Sequence, residues 1–104
     1  MEFSFENKEL RLICEQQEAA MSKFGSVVSS KLQNRLADIE AANTVLDLVV
    51  GDPKELNNSE YKIELSEEYQ LVFSPNPVNV PLLKTGKINW SKVNRIKLVT
   101  IRKK

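Results

Sequence analysis

Histidine is missing from this 104-residue chain, and cysteine is reduced to a single residue, Cys14. Without histidine, the commonest metal ligand and the commonest general base near neutral pH are both gone. One cysteine can form no intrachain disulfide and no cysteine-rich zinc site. No metal site, phosphate-cradling glycine loop or Ser/His/Asp arrangement can be read from the sequence, and no cofactor is expected. No apolar stretch approaches the length of a membrane span. The opening run Met1–Asn7 is acidic and lacks the long apolar core of a signal peptide. A cytoplasmic protein without membrane association is the simplest expectation. Acidic residues are also absent from one end of the chain. Residues 1–83 carry seven basic and fourteen acidic side chains, net −7, whereas residues 84–104 carry eight basic and none acidic, net +8. A basic end on an acidic body suits a surface that meets phosphates or an acidic partner. The alternative is a solvated charged terminus.

What is present fits one globular domain spanning residues 1–104. Hydrophobic residues make up 41% and charged residues 28%, enough apolar material for one modest core. Glu2–Phe5 can form a first strand with Phe3 and Phe5 on one face. Asn7 is a helix cap, and Leu10, Ile13, Cys14, Gln17, Met21 and Phe24 follow helical spacing up to Gly25. Val28, Leu32, Leu36 and Ile39 mark a second helix, so the two should form a hairpin. Asn43 and Thr44 begin a short helical or turn segment that Gly51-Asp52-Pro53 ends. Tyr61, Ile63 and Leu65 alternate with Lys62 and Glu64 in a half-buried strand. Ser66-Glu67-Glu68 is a tight turn, and Tyr69, Leu71 and Phe73 alternate with Gln70 and Val72 in the next strand. Residues 74–87 carry Pro75, Pro77 and Pro81, which exclude a central strand or helix and leave a long, stiff loop. In the last strand, Ile96 and Leu98 share one face, and Arg95, Lys97, Val99 and Ile101 the other. Helices grouped ahead of strands predict an α+β fold: a small twisted antiparallel sheet packed against an N-terminal helical hairpin.

Three segments carry a family resemblance. Phe5-Glu6-Asn7-Lys8-Glu9-Leu10 resembles an opening F-x-N/D-K-x-L. Tyr69-Gln70-Leu71-Val72-Phe73-Ser74-Pro75 is similar to a Y-R-L-I-F-x-P strand. Ile88-Asn89-Trp90-Ser91-Lys92-Val93 looks like I-D-W-S-K-V. With Lys23-Phe24-Gly25, Leu32-Gln33-Asn34-Arg35-Leu36 and Lys54-Glu55-Leu56, these run colinearly along the HigB-like branch of the RelE/ParE toxin superfamily, the plasmid-maintenance killer or killer-suppression subgroup. The resemblance implies a RelE-like fold and the toxin of a type II toxin–antitoxin module. It also implies an mRNA interferase acting in the ribosomal decoding site, and a helix-turn-helix antitoxin as partner. The sequence departs from that pattern where chemistry would lie. Gln70 stands where the family has a phosphate-binding arginine. Lys54-Glu55-Leu56-Asn57-Asn58-Ser59 replaces a basic loop, and Arg102-Lys103-Lys104 replaces a terminal D-Y-H.

RNA cleavage needs a base near the 2′-hydroxyl, cations on the phosphate and an acid for the leaving oxygen. With no histidine, the catalytic candidates are Gln70 with Arg95 and Lys97. The last two should share a face of one strand, about 7 Å apart at two-residue spacing. Lys54, Lys92, Arg102, Lys103 and Lys104 are RNA-binding candidates, with the ribosome and mRNA as the implied partners. Lys62 reads as the solvent side of its strand. Trp90 could stack on a base but is expected to pin the long loop to the sheet. Cys14 falls on the apolar side of its helix and is expected to be an inert core thiol. Two function classes follow: a toxin with weakened catalysis, or a non-catalytic RelE-fold protein serving as an antitoxin-binding or regulatory partner.

Overall fold

In the computed structural model, residues 1–57 and 59–104 are described. The chain runs β1 (Glu2–Phe5), α1 (Lys8–Glu15), α2 (Gln17–Ala41), a 3-10 turn at Val45–Asp47, β2 (Lys54–Asn57), β3 (Glu60–Glu64), β4 (Tyr69–Pro75), a second 3-10 turn at Trp90–Lys92, and β5 (Arg95–Lys103). Asn58, in the segment that replaces the family's basic loop, lies outside the described residues. Among the described residues the strands form one five-stranded sheet in the order β1-β5-β4-β3-β2. The expected α+β architecture is present. Neighbours from β2 through β5 pair antiparallel, and β1 alone runs parallel to β5, with Glu2 opposite Arg95 and Phe5 opposite Leu98.

The helices cover one face of this sheet. Leu10, Ile13, Cys14, Ala20, Val28, Leu32, Leu36 and Ile39 form one buried cluster with Ile63, Leu65, Leu71, Phe73, Ile96 and Leu98. Val72 is equally buried, at 0% exposure, but lies outside that cluster. It points to the other face of β4, as alternation requires.

Asn7 caps α1, its Oδ1 accepting from the Leu10 N–H at 2.8 Å. The helix expected to run on to Phe24 is interrupted at Gln16, whose backbone leaves helical geometry (φ −120°, ψ 109°). The break resets the apolar stripe. Gln17 and Met21, assigned to the inner face by spacing, turn outward, and Ala20 takes the buried position. α2 is itself broken at Gly25, where φ is 86° and ψ 171°. The β3–β4 hairpin turn is as expected: Ser66 Oγ accepts from the N–H groups of Glu68 and Tyr69 at 3.2 and 3.1 Å.

The last strand differs from its predicted pattern. Val72 pairs with Thr100 and Phe73 with Leu98, so Val99 is the extra residue of a β-bulge. Beyond it the alternation shifts by one. Ile101, expected beside Arg95 and Lys97, pairs with Leu71 and packs against the core cluster, while Arg102 pairs with Gln70 on the opposite face. Trp90 is buried. Its indole N–H donates to Glu55 Oε2 at 2.6 Å, and its ring lies 4.9 Å from that of Tyr61, so it ties the end of the proline-rich loop to β2 and β3. Cys14 is buried as expected, and loss of hydration together with the Glu15 charge pushes its thiol up to about 12.

Gly25 gives a clean test of backbone strain. Its φ/ψ pair lies in a region that residues with a Cβ scarcely enter, yet nothing stands within 4 Å of where a Cβ would be. Gly25→Ala should therefore destabilise by about 1–3 kcal/mol through conformation alone. Urea unfolding monitored at Trp90 would measure it, and an unchanged midpoint would show that the break can relax.

Candidate nucleic-acid interface

The sheet face turned away from the helices carries most of the polar residues that the sequence singles out. Cross-strand register places them. Lys54 lies opposite Lys62, Glu64 opposite Gln70, and Gln70 opposite Arg102. Side chains directly opposite on one face have Cβ atoms about 4.5–5.5 Å apart. Gln70 is thus flanked by a carboxylate on β3 and a guanidinium on β5. At 9% exposure, its amide is sunk into the sheet surface.

Lys62 is the residue that sequence reading misjudged. It is not a solvent-facing lysine: its side chain is only 8% exposed. A buried ammonium needs compensating charge, and two carboxylates supply it. Asp52 Oδ2 lies 3.5 Å from Lys62 Nζ, and Glu64 Oε1 lies 3.3 Å away. Asp52 also reaches Lys54 Nζ at 3.3 Å, so it separates two lysines that pair across the strands. Lys104 Nζ lies 3.0 Å from the same Glu64 oxygen. The result is a chain of alternating charge: Lys54, Asp52, Lys62, Glu64, Lys104.

The turn before β2 makes this arrangement possible. Gly51 accepts from the Glu64 N–H at 2.7 Å. A Cβ on Gly51 would meet the Glu64 carbonyl oxygen at 3.1 Å and Arg35 Cδ at 3.3 Å, and its φ is +87°. Only glycine allows this approach, which brings Asp52 (φ 47°) alongside Lys62.

Arg95 and Lys97 do share a face, at the β1 end of the sheet. Each is met by a carboxylate there. Arg95 Nε is 3.2 Å from Glu2 Oε2, and Lys97 Nζ is 2.9 Å from Glu6 Oε2. Lys103 pairs with Tyr69 and so lies on the helix side, and Lys92 is exposed on the second 3-10 turn, outside the sheet. The structure therefore gathers Gln70, Arg102, Lys104 and Lys54 around Lys62. It sets Arg95 and Lys97 apart at the β1 end and places Lys92 and Lys103 elsewhere. Alternation along β3 was enough to put Lys62 and Glu64 on one face. That Asp52 joins them depends on the turn's contact with β3, which no local pattern reports.

The electrostatics follow from these contacts. Hydrogen bonds from Lys104 and Lys62, with the charges of both, hold the Glu64 carboxyl below its ordinary 4.5, against a smaller opposing effect of desolvation. Asp52 is held below its ordinary 3.8 chiefly by its hydrogen bond from Lys54. Both groups are carboxylates at neutral pH.

No family model matches this chain, and no curated protein matches it. Solved structures share its fold. A YoeB/ParE toxin from Agrobacterium tumefaciens superposes with a TM-score of 0.61 at 8% identity, over 100% of this chain and 99% of the other. A YoeB dimer from Staphylococcus aureus and a YoeB–YefM complex from the same organism each give 0.59 at 13% identity, covering 98% of this chain and 94% of the other. The fold is shared with these structures along nearly the whole of both chains.

The lowered Glu64 makes a pH prediction. The unfolded chain, with an ordinary carboxyl, takes up the proton first as pH falls. The stabilisation from Glu64 is therefore complete above about pH 4.5 and lost as pH drops through the lower folded value. Glu64→Gln should narrow its stability deficit against the native chain between about pH 6 and about pH 3. A deficit constant across that range would show that the two lysines do not hold Glu64 in solution.

Proposed function

We propose that this chain, as one domain over residues 1–104, is the toxin-like component of a type II toxin–antitoxin module of the HigB-like kind. In this reading it meets translating mRNA through the sheet face turned away from its helices. Cleavage by this ribosome-dependent endoribonuclease is weakened. The observation that carries the reading is the position of Gln70, at the centre of a lysine- and arginine-rich sheet face, on a fold shared with YoeB and ParE toxins. Arg102 lies directly opposite, and Lys54, Lys62 and Lys104 stand around it.

The weakening has a physical basis. A glutamine amide can donate a hydrogen bond to a phosphate oxygen, but it lacks the charge and the two-pronged grip of a guanidinium. Loss of one such contact from a transition state costs about 2.7–4 kcal/mol, or 10²–10³ in rate. Partner binding fits the same reading. YoeB has been solved in complex with YefM, and a helix-turn-helix antitoxin is the partner proposed for this chain. The second reading, a non-catalytic protein of the same fold that binds an antitoxin or regulates its module, is favoured by one observation. Lys62, Lys97, Lys104 and Arg95 are all paired with carboxylates of the chain itself.

Induced expression in cells lacking the antitoxin separates the two. The native chain should inhibit growth weakly or not detectably. Gln70→Arg should inhibit strongly, because a guanidinium supplies the charged, two-pronged grip on phosphate that the amide lacks. Primer extension on translated messages should show the corresponding cuts. Strong ribosome-dependent cleavage by the native chain would overturn the weakening, and harmlessness of both forms would favour the non-catalytic reading.

A further inference from the structure

Glu64 sits as a bound anion would. Its Oε1 lies 3.0 Å from Lys104 Nζ and 3.3 Å from Lys62 Nζ. The side chain of Lys62 is 8% exposed, and its Nζ also lies 3.5 Å from Asp52 Oδ2. Lys104 is held in place by its backbone N–H, which donates to the Glu68 carbonyl at 2.9 Å. Gln70 and Arg102 border the same spot in register. Two positioned ammonium groups, a guanidinium and an amide are the donors that a phosphate group takes. Here one carboxylate oxygen serves both ammonium groups. A phosphate, with more acceptor oxygens, could serve them and Arg102 together. The Glu64 side chain is 35% exposed and outside the core cluster, so it has room to leave.

We propose that Lys62 and Lys104 form an anion subsite for a phosphate group, held closed by the chain's own Glu64. A ligand must displace a tethered carboxylate, which competes at high effective concentration. Weak or isolated anions are thereby excluded. A polyanion, which gains several contacts at once, opens the site. The identity of the natural ligand as RNA rests on the function proposed above, whereas the phosphate chemistry does not.

The test measures binding of two probes, a short single-stranded RNA and inorganic tripolyphosphate, to the full chain. Glu64→Gln should tighten both about tenfold, as expected for removing a unit charge a few ångströms from the ligand. The RNA salt dependence should steepen by about one released ion. Glu18→Gln, which removes the same charge from an exposed site on α2, should change affinity by less than about twofold. Lys104→Gln should weaken binding and cancel most of the gain in the double variant. A gain with tripolyphosphate but none with RNA upholds the subsite and overturns the RNA reading. Native RNA binding that Glu64→Gln leaves unchanged overturns the subsite while the RNA reading stands. An equal gain from Glu18→Gln reduces the effect to bulk charge and overturns the subsite. Absence of binding to either probe by every form overturns both. Should Glu64→Gln fail to fold, Lys104→Gln decides alone, and unchanged affinity overturns the subsite.

Discussion

β4 is buried on both of its faces, and this one constraint sets the terms for everything around it. Leu71 and Phe73 face the helices at 0% exposure, and Val72 faces the opposite way at 0%. Each such side chain contributes about 1.5–3 kcal/mol by leaving water. A strand so enclosed has little room for a charge. At position 70 a neutral amide can be accommodated in the ladder without a counter-ion. Lys62 on the adjoining strand cannot, and it carries two carboxylates with it. The polar face is thus organised by the need to settle one buried ammonium, as the helix face is organised by apolar burial.

That need changes what the cations are able to do. Counting lysines and arginines suggests a surface ready for a nucleic acid. Pairing them shows that much of this charge is already committed within the chain, to Glu2, Glu6, Asp52 and Glu64. Within the acid-free segment from residue 84 onward, Arg95, Lys97 and Lys104 are met in space by Glu2, Glu6 and Glu64 from the other half of the molecule. A fold shared with toxins therefore leaves the chemistry open, because activity resides in particular side chains and their surroundings.

Much of the architecture could be read from local patterns. Alternation located β3 and β4, the capping Asn7 located α1, and Pro77 and Pro81 marked the long loop, whereas Pro75, assigned to that loop, closes β4 opposite Ile96. What escaped were the places where phase changes. Gln16 interrupts a helix with no glycine or proline to announce it, and Val99 inserts a bulge in an otherwise regular strand. Both displaced residues from their inferred faces: Met21 in one case, Ile101 in the other. The site was half legible. Gln70 stood out only because its motif resembles one with arginine there. Lys62 was passed over because alternation reports direction and not depth, and Asp52 because its role arises from a contact between a turn and a distant strand.

The bulge at Val99 also splits β5 into two stretches of opposite parity. Before it, odd-numbered residues face the polar side; after it, even-numbered ones do. The basic end is therefore divided, with Arg102 on one surface and Lys103 on the other, by a single uncounted residue. Were Val99 to enter the ladder as a paired residue, the two would exchange faces with no change in composition or net charge. In this sheet, whether one residue is paired or bulged decides which of the last cations lies on the polar surface.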